Sequence, residues 1–120
     1  MLRDLPLLRF MPEDVAELVR RSFVSCKFPF GGEIVREGEP ADAFYVLVSG
    51  TARAVKAGAH GEEVPLNVLK PGDAFGEVAL FEETVRTATI RASSEVEAIR
   101  LDRRGYVLSA VYRSTARAER

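Results

Sequence analysis

Two hydrophobic periods divide the chain. Leu2, Leu5, Leu7 and Leu8 precede Pro12 and predict a short helix or turn. From Pro12 to about Arg21, Val15, Leu18 and Val19 recur at helical spacing. Pro12 suits a first helical position, Glu13 and Asp14 suit the positive N-terminal end, and Arg20 and Arg21 suit the negative one. From Val24 the period drops to two. Val24, Cys26 and Phe28 alternate with Ser25 and Lys27, which predicts a strand with those three on one face. Further strands are expected over 33–36, over 43–48 (apolar enough to be buried on both faces), over 51–55, over 63–69, over 87–92 and over 96–101. Gly32, Gly38, Gly50 and Gly72 read as turn residues that need positive φ or a tight fit. Asp102 is a good N-cap for a last helix over 103–113, with Tyr106, Val107, Ala110 and Val111 as its apolar stripe. About eight short strands with Gly or Pro turns at close spacing predict an antiparallel sandwich or barrel with helices at both ends.

One stretch, from Gly72 to Ala92, does not read as plain sheet. Pro71-Gly72-Asp73 is a turn, and Gly76-Glu77-Val78-Ala79-Leu80 predicts one short helical turn. A polar loop, Glu82-Glu83-Thr84, leads through Val85 to Arg86. A Gly opening a short helix leaves backbone N–H groups unpaired and unobstructed, which makes a small anion site. Arg86 can bring a planar fork of donors to the same anion, and phosphate fits that fork best. A carboxylate beside an anion is repelled unless it has another task. For Glu77 the tasks are to accept hydrogen bonds from sugar hydroxyls and to pair with Arg86. Taken alone, Arg86 could equally be a surface residue paired with Glu82 or Glu83. Glu77 could be a helix-start carboxylate, and Ala79 and Ala88 could simply be tight packing.

The residues Phe75-Gly76-Glu77-Val78-Ala79-Leu80 and Arg86-Thr87-Ala88-Thr89 closely resemble the phosphate-binding cassette of the cyclic-nucleotide-binding domain family. Gly32-Glu33-Ile34-Val35 and Phe44-Tyr45-Val46-Leu47-Val48-Ser49-Gly50 extend the likeness over about residues 12–110. The resemblance implies a mainly β fold with flanking helices. This is an antiparallel β-roll, or jelly roll, of about eight strands, with an N-terminal helix, a short cassette helix and a C-terminal helix. It implies a single domain over 1–120. The N-terminal helical segment is 1–23, the roll is 24–101 with its cassette at 72–89, and the C-terminal helix and tail are 102–120. It implies that Glu77 holds the ribose 2′-hydroxyl and Arg86 the cyclic phosphate, with backbone groups at Gly76, Val78, Ala79 and Thr87 completing the cradle. Small Ala79 and Ala88 let the ligand approach. Leu66 resembles a position that lines the base, and Tyr106, Val107, Leu108 or Tyr112 could act as a lid. Thr87 is compatible with cyclic AMP and with cyclic GMP, and cyclic AMP is favoured. The implied function is a regulatory sensor in which ligand binding moves the C-terminal helix. The alternative is a non-catalytic interaction domain of a larger protein, with an empty or repurposed pocket.

Composition narrows the other classes. The chain has 120 residues, 47% hydrophobic and 29% charged, with a formal net charge of -1. That balance suits one globular core and gives no general attraction to nucleic acid or anionic membrane. No apolar run reaches the roughly 18 residues of a membrane span, and the first residues do not read as a signal peptide. The one Cys has no internal disulfide partner, and the one His, in a Gly-Ala-His-Gly hairpin tip, reads as a solvated loop residue. Expected, then, are a cytoplasmic protein, no metal and no cofactor beyond the cyclic nucleotide ligand, no nucleic-acid partner, no membrane insertion and no enzyme. Homodimerisation or attachment to an output domain stays open.

Overall fold

The structure, a computed structural model, describes Leu8, Arg9 and residues 11–106. The expectations for Leu2 to Leu7 and for most of the C-terminal helix lie outside the described residues.

The first element is α1, Glu13–Arg21, entered through Pro12, with both acidic residues in the first turn and both arginines in the last. Arg20 adds ion pairs to Glu13 and to Glu17. Ten strands follow: β1 (Val24–Phe28), β2 (Glu33–Val35), β3 (Pro40–Ala41), β4 (Ala43–Ser49), β5 (Ala52–Ala57), β6 (Glu63–Leu69), β7 (Ala74–Phe75), β8 (Thr84–Val85), β9 (Thr89–Ala92) and β10 (Val96–Asp102). The two-residue strands β3, β7 and β8 were not expected, because two residues are too few to show a period. A 3₁₀ helix, Glu77–Leu80, lies between β7 and β8. One sheet has the order β1-β10-β4-β7 and another β2-β9-β5-β6, while β3 pairs with β8. All the pairings are antiparallel. The antiparallel pairing is what the pattern of strands predicted, and the architecture is the β-roll that the resemblance implied.

Strand β4 explains how the roll is buried. Ala43, Tyr45 and Leu47 face the core between the sheets, with Ile90, Ala92 and Ala98. Phe44 and Val46 face the other way and are covered by Ala16 and Val19 of α1, by Leu80 and by Leu101. The strand is therefore apolar on both faces, as its continuous run predicted, because a helix covers the sheet's outer side.

Two expectations of burial need correction. Val24 is 65% exposed. It opens the edge strand β1, whereas Cys26 and Phe28, further along the same face, pack against the core. Burial raises the Cys26 thiol above its ordinary value, and its Sγ lies 3.5 Å from the Ala98 carbonyl. The second correction is Leu66, 53% exposed on the edge strand β6. Asn67 pairs with Ala54 and Pro65 with Val55, so Leu66 is the extra residue of a bulge.

Beyond β10, residues 103–106 begin a helical turn. Asp102 caps it as expected, with the Gly105 N–H donating to Asp102 Oδ1 at 2.7 Å. Asp102→Ala is expected to lower stability by about 1 kcal/mol, the usual loss for an N-cap, read as a shift of the urea midpoint at unchanged m. Among the described residues no helix is long and apolar enough to cross a membrane.

Candidate functional site

The site is built where β7 pairs with β4, the 3₁₀ helix packs on β4, and β8 pairs with β3. Phe75 pairs with Tyr45 of β4 and stacks on its ring, with centroids 5.1 Å apart. That pairing fixes the chain just before Gly76. Gly76 then takes φ +86°, a left-handed conformation that L side chains rarely adopt. A Cβ there would lie 2.6 Å from Arg86 Nη1 and 2.8 Å from the Ala43 carbonyl oxygen. The glycine is thus required twice, by its backbone angle and by the close approach of Arg86. The first helical hydrogen bond runs from the Ala79 N–H to the Gly76 carbonyl at 3.0 Å. The amides of Glu77 and Val78 precede it at the start of the helix, where amides have no intrahelical acceptor.

Arg86 is 8% exposed, which is unusual for a charged residue. Its main chain is held on both sides: its N–H donates to the Glu39 carbonyl and its carbonyl accepts from the Gly38 N–H, each at 2.8 Å. Its Nη2 donates to the Ala43 carbonyl at 2.8 Å and lies 4.0 Å from an Asp42 carboxylate oxygen. The guanidinium carbon sits 5.8 Å from the centre of the Tyr45 ring, within cation–π range. Burial lowers the guanidinium's proton affinity, while Tyr45 and Asp42 oppose that and Arg100 adds to it. The ordinary value is so far above neutrality that the group stays charged.

Arg86 therefore pairs with neither Glu82 nor Glu83. Nor does it pair with the Glu77 carboxylate: its Nη2 bonds the Ala43 carbonyl and lies near Asp42 instead. Both Glu77 and Arg86 nonetheless line one cavity of about 340 Å³, at the lower end of the range of ligand cavities. The predicted residues Gly76, Val78, Ala79, Thr87 and Ala88 line it too. Its apolar wall comes from Val35, Ala41, Phe75, Val85 and Ile90. Leu66 is not among the lining residues, because the bulge leaves it on the exposed edge of the sheet. Of the proposed lid residues, Val107, Leu108 and Tyr112 lie outside the described residues. Tyr106 packs edge-on against Phe81, with centroids 5.5 Å apart, at the end of the 3₁₀ helix. Burial, and then the Glu77 carboxylate, push its phenol above its ordinary value.

Reading the sequence missed Asp42, Ala43 and Tyr45 as partners of Arg86, since each lies about forty residues away and no local pattern marks them. Among the described residues no group of three or more His, Cys, Asp and Glu side chains is placed to hold a metal ion.

The chain is similar to known proteins. The chain is 39% identical over 105 residues to a cAMP-dependent protein kinase regulatory subunit of Emericella nidulans, covering 88% of this chain and 25% of that protein. It is 33% identical over 92 residues to a CRP-like cAMP-activated global transcriptional regulator of Mycobacterium tuberculosis, covering 77% of this chain and 41% of that one. The chain thus spans between a quarter and two fifths of the length of these curated relatives. Among solved structures it is similar to a cyclic nucleotide-binding-like protein from Brucella abortus. The TM-score is 0.81 at 28% identity, over 91% of this chain and 96% of that one. The family model for the cyclic nucleotide-binding domain matches residues 26–107, which include β2 to β10, the cassette and Arg86, and the chain belongs to that family.

Proposed function

We propose that the chain is a regulatory module that binds a cyclic nucleotide, cyclic AMP in preference to cyclic GMP, and performs no chemistry of its own. One observation carries the reading. A buried, charged arginine, the start of a short helix and an acidic side chain all line a single cavity with an apolar wall. In this reading the Arg86 fork and the amides at the start of the 3₁₀ helix take the singly charged cyclic phosphate. Glu77 accepts hydrogen bonds from the ribose 2′-hydroxyl. The base lies along the apolar wall, and Thr87 at the rim is open to either purine. Differential affinity for two arrangements of the cassette carries the signal. The similarity to a cAMP-dependent kinase regulatory subunit and to a cAMP-activated regulator supports cyclic AMP as the ligand. A cytoplasmic location and attachment to an output domain are the settings that such relatives suggest.

A thermal-shift series tests the reading. At one hundred times Kd, cyclic AMP is expected to add about 2.7 kcal/mol and raise Tm by several degrees. Cyclic GMP should shift it less, and the 5′-monophosphate least, because its second charge and open geometry do not match the single fork. No shift from either cyclic nucleotide at millimolar concentration would reject this function and favour an interaction domain.

A further inference from the structure

Arg103, the first residue of the helical turn 103–106, is bound up with the cassette rather than with its own helix. Its Nε donates to the Ala79 carbonyl at 2.7 Å. Its Nη2 donates to the Ala41 carbonyl and to the Glu82 carbonyl, each at 3.0 Å. The three acceptors belong to the 3₁₀ helix, to strand β3 and to the loop before β8. Carbonyls at the end of a helix carry partial negative charge and lack intrahelical donors, so a cation with several N–H groups suits them. The planar fork spreads its donors over two nitrogens, Nε for Ala79 and Nη2 for Ala41 and Glu82, whereas an ammonium carries all its donors on one atom.

The main chain reinforces the tie. The Arg103 N–H donates to the Asp42 carbonyl at 2.9 Å. Three consecutive carbonyls, of Ala41, Asp42 and Ala43, therefore accept from the Arg103 side chain, the Arg103 backbone and the Arg86 side chain in turn. Any group that draws Arg86 off Ala43 acts on the segment that anchors Arg103. The Asp102 cap then joins Arg103 to the helical turn, through its bond to Gly105.

We propose that Arg103 is the positioning residue that couples the cassette to the helical turn 103–106, by bonding the carbonyls of Ala79, Glu82 and Ala41 together. The trigger rests on the ligand-binding function proposed above; the linkage does not. A shift of the 3₁₀ helix carries Arg103 with it, and the turn follows because Arg103 is part of it.

Amide hydrogen exchange on the full chain tests this with two triggers. Saturating cyclic AMP is one. The other needs no ligand: Val78→Gly loosens the 3₁₀ helix at an exposed position without opening a cavity. In the wild-type background Val78→Gly is expected to raise exchange in the cassette about twofold, the step from valine to glycine in helix propensity, and to raise it at residues 104–106 as well. In an Arg103→Gln background the cassette should still respond and residues 104–106 should not. Should Arg103→Gln fail to fold, Arg103→Lys, which keeps the charge and gives up the fork, is read in the same way. A residue with a merely structural role would raise exchange generally and leave the response at 104–106 intact. Such an intact response, or a wild type in which Val78→Gly leaves 104–106 unmoved, overturns the proposal. A cassette indifferent to cyclic AMP, with 104–106 still answering to Val78→Gly through Arg103, rejects the ligand and keeps the coupling.

Discussion

Arg86→Ala is expected to weaken cyclic nucleotide binding by about 2–5 kcal/mol, or roughly 30- to 5,000-fold in Kd. The size follows from where the guanidinium sits. It is desolvated, so water does not screen its attraction for a phosphate as it would on the surface. Removing it also leaves the incoming anion with backbone amides alone. Little of the effect comes from the ion pair with Asp42, because that carboxylate is 70% exposed and 4.0 Å away, and such pairs are worth about 0–1 kcal/mol. The Ala43 carbonyl loses its donor as well, so a modest fall in stability, about 1 kcal/mol, should accompany the loss of binding. Arg86→Lys restores charge without the fork and should fall between the two. Titration calorimetry at a temperature where each variant is folded separates affinity from stability. Equal affinity in wild type and Arg86→Ala would remove Arg86 from the site.

Gly76→Ala is expected to cost about 2–4 kcal/mol of stability, from a left-handed backbone angle together with overpacking, and to reduce binding as well. The added methyl meets two obstacles of different kinds. Arg86 Nη1, at 2.6 Å, is the end of a flexible side chain and can move, but only by giving up its present aim. The Ala43 oxygen, at 2.8 Å, is backbone at the start of the interior strand β4 and cannot yield cheaply. Thermal melting should fall by on the order of 10 °C for a chain of this size. Gly38→Ala is the control. Its φ of +87° is nearly the same, but nothing lies within 4 Å of its built Cβ, so it should pay only the backbone term, about 1–2 kcal/mol. If the two variants melt alike, the close approach of Arg86 to Gly76 is not a constraint.

Most of the roll was legible because its signals are local. Alternation marked β1, a continuous apolar run marked β4, Gly and Pro turns set off the strands between, and the acidic and basic ends of Glu13–Arg21 marked α1. Strands of two residues were invisible, and so was the bulge that turns Leu66 outward, since register depends on the partner strand as much as on the strand itself. The cassette could be read residue by residue because Gly76, Glu77 and Arg86 lie within one continuous stretch and line one cavity.

The order of residues by itself therefore determined the class of fold, the Asp102 cap and the cassette side chains at the cavity, but not its wall from Val35, Ala41 and Ile90, and it misplaced Leu66. Each feature it determined depends on neighbours within about ten positions. Only the tertiary structure decided what holds Arg86 in place, and that Arg103 reaches back to Ala41, sixty-two residues away. A buried guanidinium takes whatever acceptors the packed sheets put beside it, and backbone carbonyls, which every residue has, leave no mark in a sequence.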